Sequence, residues 1–251
     1  MDRKRQRVLI VVGSVVIVVA IVLGVVVLTH HGSSHRATST TTTSSTTTSS
    51  TSSSTTTSTV PTTSTTVSPQ ELDAAVFPDL TGATRYTNPT DLVRDFAQVD
   101  LGFNSSAIIG PFQSTGTGTG TIAVTPNAQG APTTIMLAQM PDRTWIALSA
   151  HTDSIRLDTP STGAMITSPQ PLSGAAFAFE GRVNVTLYAD GSDVQIASTF
   201  VTGRGDGVLG PFTGQLPFQV STGVTRGILV LSAASGADGA TAAATAIRVH
   251  F

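Results

Sequence analysis

Residues 182–191 read RVNVTLYADG, and this stretch indicates the fold of the C-terminal part of the chain. Valine, valine and leucine alternate in it with asparagine, threonine and tyrosine. That two-residue period is typical of a β-strand with one face towards a core and the other towards water. The dipeptide Asp190-Gly191 then supplies a turn. We therefore expect an antiparallel strand that ends in a tight turn.

Similar strand patterns recur on both sides of this stretch, with turn residues between them. The predicted strands are residues 164–167, 172–177, 183–188, 194–200, 211–220, 227–233 and 243–251. Seven short strands of this kind are typical of an immunoglobulin-like β-sandwich. We predict such a sandwich over residues 159–251. The Cys-Trp-Cys pattern of antibody domains is missing, because the sequence contains no cysteine.

Residues 71–158 predict a small α+β domain. Asn88 suits a helix N-cap, Pro89 fits the first helical turn, and Gly102 supplies a stop. Leu92, Val93, Phe96 and Val99 fall on one face of this helix, which predicts that it packs on a sheet. The predicted strands of that sheet are residues 120–124, 134–138 and 144–150.

The last of these strands should alternate strictly. We expect Trp145, Ala147 and Ser149 on one face, and Ile146 and Leu148 on the other. Residues 158–163 read as a short hinge between the two predicted domains.

An apolar segment near the N-terminus predicts a membrane anchor. Residues 8–28 are apolar or small and follow a basic cluster within residues 1–7. A helix of this length reaches about 30 Å, the thickness of a bilayer's hydrocarbon core. The positive-inside bias keeps residues 1–7 in the cytoplasm. We therefore expect residues 8–28 to span the bilayer and the C-terminal domains to lie outside the cell. A cleaved secretory signal is the alternative, and it leads to the same export.

Residues 29–70 predict a disordered Ser/Thr-rich stalk. Thr38 to Thr59 is an unbroken run of serine and threonine, which offers no apolar surface to bury. Such stalks are also candidates for O-glycosylation. His30, His31 and His35 precede the run, and we interpret them as solvated side chains with no metal site.

Charge and cysteine content exclude several classes of function. After the apolar segment the chain carries nine arginines against fourteen acids, so no basic stripe is available for nucleic-acid phosphate. We therefore predict no nucleic-acid partner. Without cysteine, disulfides, thiolate nucleophiles and zinc-thiolate sites are excluded together.

Three residues near the end of one predicted strand have the types of a catalytic triad. Ser149, His151 and Asp153 alternate along the chain, which does not give the geometry of nucleophile, base and orienting acid. We interpret His151 as a surface histidine at a strand end. The alternative is an exported hydrolase or metal-dependent enzyme with a site in residues 71–158, using acids such as Asp142 or Asp153.

Three further motifs have structural interpretations. The Thr-Gly repeat from Thr115 to Thr121 runs into a strand, so we predict a hairpin or loop, not a phosphate-binding loop. Arg204-Gly205-Asp206 spells an adhesion tripeptide, which we interpret as a glycine-rich turn. Asn104 and Asn184 begin N-glycosylation patterns to which we give no weight. We predict no catalytic, cofactor-binding or metal-binding residues.

An ordered set of short motifs in the last ninety or so residues resembles a known family. They are SPQPLSG at 168–174, FAFEG at 177–181 before a V-x-V-x-L strand, Asp190-Gly191, GPF at 210–212 before QLPF, and Asp238-Gly239. This set resembles the immunoglobulin-like domain associated with bacterial spore germination proteins. The resemblance implies an extracytoplasmic module, often fused to other envelope domains, that acts in binding or assembly and has no assigned active site.

Anchor, stalk and resemblance together lead to one functional expectation. We expect a membrane-anchored extracytoplasmic protein of the bacterial cell envelope that binds or scaffolds and is not an enzyme. Its expected partners are the lipid bilayer through residues 8–28 and a cell-wall polymer or envelope protein. No cofactor is expected.

Overall fold

The computed structural model describes residues 67–251, except 128–129 and 192–193. The predicted cytoplasmic tail, membrane helix and nearly all of the predicted stalk lie outside the described residues. Within the described part, no helix is both long and apolar enough to cross a membrane.

The described chain is mainly β, as the sequence predicts. It contains the α-helices α1 (Pro69–Ala74) and α2 (Pro89–Val99), and a 3₁₀ turn at Phe179–Gly181. The strands are β1 (Ile108–Ile109), β2 (Gln113–Gly116), β3 (Thr119–Thr125), β4 (Thr133–Gln139), β5 (Trp145–Thr152), β6 (Ile155–Thr159), β7 (Ala164–Met165), β8 (Gln170–Ala176), β9 (Arg182–Ala189), β10 (Gln195–Thr202), β11 (Gly210–Leu216), β12 (Arg226–Ala234) and β13 (Thr241–His250).

Helix α2 forms where its capping residues predict it. The Asn88 side chain accepts a hydrogen bond from the Thr90 N–H at 2.9 Å, and Pro89 opens the first turn. Past the helix, Gly102 adopts a φ of 76°, a left-handed conformation that glycine adopts without strain. The buried face differs in one residue from the prediction, because Ala97 is buried and Val99 is only partly buried.

The longest sheet runs in the order β1-β3-β4-β5-β13-β12-β9-β10, with every pairing along it antiparallel. The interior strand β12 reads RGILVLSAA, and five consecutive residues from Gly227 to Leu231 are buried. A continuous apolar run marks a strand covered on both faces. On one side Ile228 and Val230 pack with the residues of α2, and on the other Leu229 and Leu231 face a second layer.

The second layer consists of β6, β8 and β11. β8 pairs antiparallel with β6 and with β11, and β6 joins the long sheet through its hairpin with β5. Leu172, Phe212 and Leu216 of this layer share a core with Val183, Val185 and Leu187 of β9, the alternating residues of the opening stretch. The arrangement confirms an antiparallel, sandwich-like fold.

The two predicted domains share one sheet. β5 pairs with β13 at Ala150 and Ala246, and the Thr133 hydroxyl of β4 accepts a hydrogen bond from the Ala244 N–H at 3.1 Å. The predicted division between residues 158 and 159 falls inside β6. A domain boundary at that point stays a prediction.

Strand β5 does not alternate strictly. The register with β4 shifts between the pairs Leu137–Ala147 and Met136–Ser149, so Leu148 is an extra residue without a partner. A bulge of this kind exchanges the two faces beyond it. Trp145 and Ala147 therefore share a core with Ala150, and the prediction that Ser149 lies on their face is wrong.

Candidate functional site

Four turns meet at one end of the sandwich, which we call the loop end: residues 153–154, 177–181, 203–209 and 235–240. The contacts between them are direct. The Phe177 N–H donates to the Ser154 carbonyl at 3.0 Å, and the Ala178 N–H donates to the Arg204 carbonyl at 2.9 Å. The Phe179 ring lies against Gly236, so closely that a Cβ added there would approach it to 2.6 Å.

The described chain begins at the opposite end, which we call the entry end: residues 73–76, 190–191, 226 and 248–250. The Ala75 carbonyl accepts a hydrogen bond from Arg248 Nε at 2.7 Å, and Asp73 pairs with His250 at 3.2 Å. β13 joins the two ends, since it follows the 235–240 turn and ends at His250. Its ten residues span about 30 Å at roughly 3.3 Å per residue.

A cleft of about 430 Å³ extends from the β5–β6 hairpin along β6 to residues 160–162, and we call it the polar cleft after its charged lining residues. His151, Asp153 and the pair Arg156–Asp158 contribute its charged or titratable groups. Arg156 Nε lies 3.0 Å from Asp158 Oδ1, so these two charges neutralise each other. Asp153 has no ion-pair partner among the described residues.

Ser149 and His151 form a hydrogen bond, with 2.8 Å between Ser149 Oγ and His151 Nε2. The hydroxyl residue is nevertheless only 5% exposed, and it does not line the polar cleft, whereas the histidine does. A nucleophile needs access to substrate and a base that a third group orients. Among the described residues no such third group bonds to His151, so the three predicted residue types are not assembled into a triad.

Partial burial of the His151 ring lowers its pKa below the ordinary value of 6.5, although the residue as a whole is exposed at the end of β5. The unfolded chain therefore takes up this proton at a higher pH than the folded chain. Stability should fall as the pH drops below about 6.5, and His151→Asn should lessen that fall. Unfolding in urea, followed by the emission of Trp145 at about pH 5 and 7.5, checks this. Equal losses in the parent and the variant would contradict it.

An apolar cleft of about 350 Å³ lies on the other side of the 153–154 turn. Phe179 forms part of its rim and is 59% exposed. The remaining wall is built mostly of glycine and alanine, such as Gly205, Gly236 and Ala243. These small side chains leave room for an apolar group of a ligand.

The 203–209 turn contributes residues to both clefts and exposes two more apolar residues. Gly205 and Gly207 line the apolar cleft, while Leu209 lines the polar one. Val208 is 58% exposed and Leu209 is 40% exposed. With Phe179 they make the loop end rich in exposed apolar side chains.

The tripeptide at 204–206 forms part of this turn, as predicted. Arg204 Nε lies 3.0 Å from Asp206 Oδ1, so the two side chains bond to each other. These hydrogen bonds hold the pKa of Asp206 below its ordinary value.

The two acids of the enzyme alternative lie at opposite ends of one strand. Asp142 precedes β5, and its carboxylate accepts hydrogen bonds from Thr144 that lower its pKa. Asp153 follows β5, whose eight residues span about 25 Å. They are therefore too far apart to act as a pair. In the described ranges, no three His, Asp or Glu residues are grouped as metal ligands.

The other motifs occupy structural positions. The Thr-Gly repeat forms the β2–β3 hairpin, as predicted, and Gly118 in its turn has a φ of 70°. Asn104 accepts hydrogen bonds from the N–H and hydroxyl of Ser106, and Asn184 lies within β9.

Sequence reasoning missed one buried polar cluster at the entry end. Arg248 is 1% exposed and donates to the carbonyls of Ala75 and Gly227, and its Nη1 lies 3.0 Å from Asp190 Oδ1. Arg226 reaches the second Asp190 oxygen at 3.5 Å. Burial lowers the pKa of the Arg248 guanidinium, and Asp190 opposes that shift. The sequence signal that could have revealed this cluster is Arg248, a single arginine inside the apolar run of β13.

The comparison with known proteins found a match for the part of the chain that forms most of the loop end. No curated protein and no solved structure matches the chain. The family model of the immunoglobulin-like domain of bacterial spore germination matches residues 154–240, from β6 to the turn after β12. The resemblance drawn from the sequence motifs is thereby confirmed. Residues 154–240 of this chain thus carry an immunoglobulin-like domain of the bacterial spore germination family.

Proposed function

We propose that this protein is a membrane-anchored, extracytoplasmic binding or scaffolding protein of the bacterial cell envelope. In this proposal residues 8–28 span the bilayer and residues 29–70 form a stalk. The immunoglobulin-like domain presents its loop end to a wall polymer or a partner protein. One observation carries the proposal: the apolar cleft and the exposed side chains of Phe179, Val208 and Leu209 lie at the end of the domain opposite to Asp73 and Ala75.

The position of the two ends supports a display function. The last two residues of the predicted stalk, 69–70, form the start of α1, whose residue Asp73 belongs to the entry end. The loop end lies about 30 Å away along β13, so a partner can approach it without meeting that connection. Binding loops carried on a rigid β-scaffold are a common arrangement in immunoglobulin-like domains.

The apolar residues of the loop end support a binding function. Soluble domains rarely expose several large apolar side chains in one place without a partner for them. Phe179, Val208 and Leu209 are exposed although the turns that carry them are hydrogen-bonded or packed against one another. Aromatic and aliphatic anchors of this kind dominate the binding energy of protein interfaces.

The test is capture of partners by the full chain in mild detergent, from isolated wall polymer and from envelope extract. A chain shortened to residues 1–70 serves as the stalk-only control. We expect the full chain to retain material that the control does not. In intact cells, added protease should also remove the C-terminal domain, since we place it outside the bilayer.

A matched pair of variants locates the binding surface. Val208→Ser with Leu209→Ser should reduce capture by about fivefold or more, the size of effect that loss of an interface anchor produces. Met165→Ser changes a residue that is 68% exposed but pairs with the entry end of β13, and it should leave capture unchanged. Equal capture by both variants would place the binding surface elsewhere.

A further inference from the structure

The wall of the apolar cleft fits one bulky side chain on a strand-like backbone. Phe179 lies over Gly236 on one side of the cleft. On the other side, Gly205 and Ala243 are small residues that fill little of the space. A volume of about 350 Å³ is at the lower end of the range for ligand pockets, roughly 300–1,000 Å³. Small wall residues let the main chain of a ligand approach closely.

The turn that carries Phe179 is fixed before any ligand arrives. The Gly203 N–H donates to the Gly181 carbonyl at 2.8 Å, which holds this turn against the neighbouring one. Glu180 adopts a backbone φ of 55°, a conformation that residues other than glycine rarely adopt. Unusual backbone of this kind concentrates at sites where a side chain must be presented in one orientation. A surface held in this way loses little conformational entropy on binding.

The turns of the loop end carry more acids than cations. The four turns of the loop end contain the acids Asp153, Glu180, Asp206 and Asp238, but Arg204 is their only cation. Arg204 is already paired with Asp206, and Arg182, the next cation along the chain, lies 4.3 Å over the Phe200 ring. Among the described residues, Asp153, Glu180 and Asp238 therefore have no cationic partner.

Two of these acids lie beside residues that line the apolar cleft, whereas Asp153 lines the polar cleft. Glu180 follows Phe179, and Asp238 lies in the same turn as Gly236. The unpaired carboxylates of Glu180 and Asp238 beside an apolar cleft attract cations and repel phosphate or carboxylate polymers.

We propose that the apolar cleft binds a basic peptide segment of a partner protein, a choice of partner that rests on the binding function proposed above. An apolar side chain of that segment enters the cleft beside Phe179. Lysine or arginine residues on either side of it contact Glu180 and Asp238. Charge complementarity selects this partner, since an anionic wall polymer would meet the same carboxylates unfavourably.

The probe is a short fluorescent peptide in which lysines flank a central leucine and phenylalanine, and fluorescence anisotropy with the full chain in mild detergent measures its binding. We expect saturable binding that weakens as salt is added. Replacing the lysines of the peptide with glutamates should abolish it.

Four single variants test the site. Phe179→Ala and Glu180→Gln should each raise the dissociation constant of the basic peptide about tenfold. Met165→Ala and Asp91→Asn, which change an exposed apolar residue and an exposed acid far from the cleft, should leave it within about twofold. The emission of Trp145, buried away from the loop end, verifies that each variant is folded.

The outcomes separate this inference from the proposed function. Peptide binding that both site variants leave unchanged, or equal binding of the glutamate peptide, overturns the inference. Retention of wall polymer by a chain that ignores the basic peptide also overturns it, while the binding function stands. Loss of all capture, from polymer and extract alike, overturns both.

Discussion

Arg248→Met should lower the free energy of unfolding by about 3–5 kcal/mol, because it leaves a buried carboxylate without its main partner. The Arg248 side chain is 1% exposed, and its partner Asp190 is 17% exposed. Two buried main-chain carbonyls, of Ala75 and Gly227, would lose their donors as well. Arg226 cannot replace it, since its Nε lies 3.5 Å from Asp190 and it is more exposed.

Urea unfolding of the full chain, followed by Trp145 emission, measures this loss. Trp145 is the single tryptophan and is 9% exposed, so its emission reports on the folded domain alone. Arg94→Met is the matched control, because the Arg94–Asp91 pair is exposed and worth about 0–1 kcal/mol.

A double variant tests the cause. Adding Asp190→Asn to Arg248→Met should recover part of the lost stability, since it removes the uncompensated charge. If the two single losses simply add, the pair does not couple and the explanation is wrong.

Phe96→Ala should cost about 3–5 kcal/mol, the usual range for deleting a buried phenylalanine. The Phe96 side chain is 0% exposed, and its ring stacks on Phe77 at a centroid distance of 5.4 Å. It belongs to the core between α2 and the long sheet, together with Ile228 and Val230. Removing the ring leaves a cavity in the core beneath α2. Among the described elements, α2 is the only helix that covers this face of the sheet.

Phe200→Ala is the control for this second variant. That ring is 52% exposed and carries the Arg182 guanidinium at 4.3 Å, an interaction worth about 0.5–1 kcal/mol. The same fluorescence measurement compares the two variants. Similar losses for Phe96→Ala and Phe200→Ala would show that α2 does not depend on this core.

The strand pattern of the C-terminal part was predictable because burial there follows simple alternation. Val183, Val185 and Leu187 are buried as their spacing predicts, and Asp190-Gly191 forms the turn after β9. The start of α2 was predictable too, since Asn88 and Pro89 act through local hydrogen bonding and backbone geometry. The bulge at Leu148 was not, because a register shift depends on the partner strand.

The candidate site was much less predictable. Phe179 and Glu180 were visible as part of a family motif, but nothing local shows that Phe179 lies on Gly236, some sixty residues later. The loop end is assembled from four turns whose contacts are set by strand pairing. Ser149 and His151 were known as residue types, and only the structure shows that they bond while the hydroxyl is buried.

By itself the sequence determined the mainly β character of this protein, the position of helix α2 and the family of residues 154–240. Those features depend on local periodicity, capping and motif order. The tertiary structure alone decided that strands from both predicted domains share one sheet, that Arg248 bonds to Ala75 at the entry end, and that the apolar cleft lies at the loop end. These depend on pairing between distant segments, whose register no single stretch of sequence encodes.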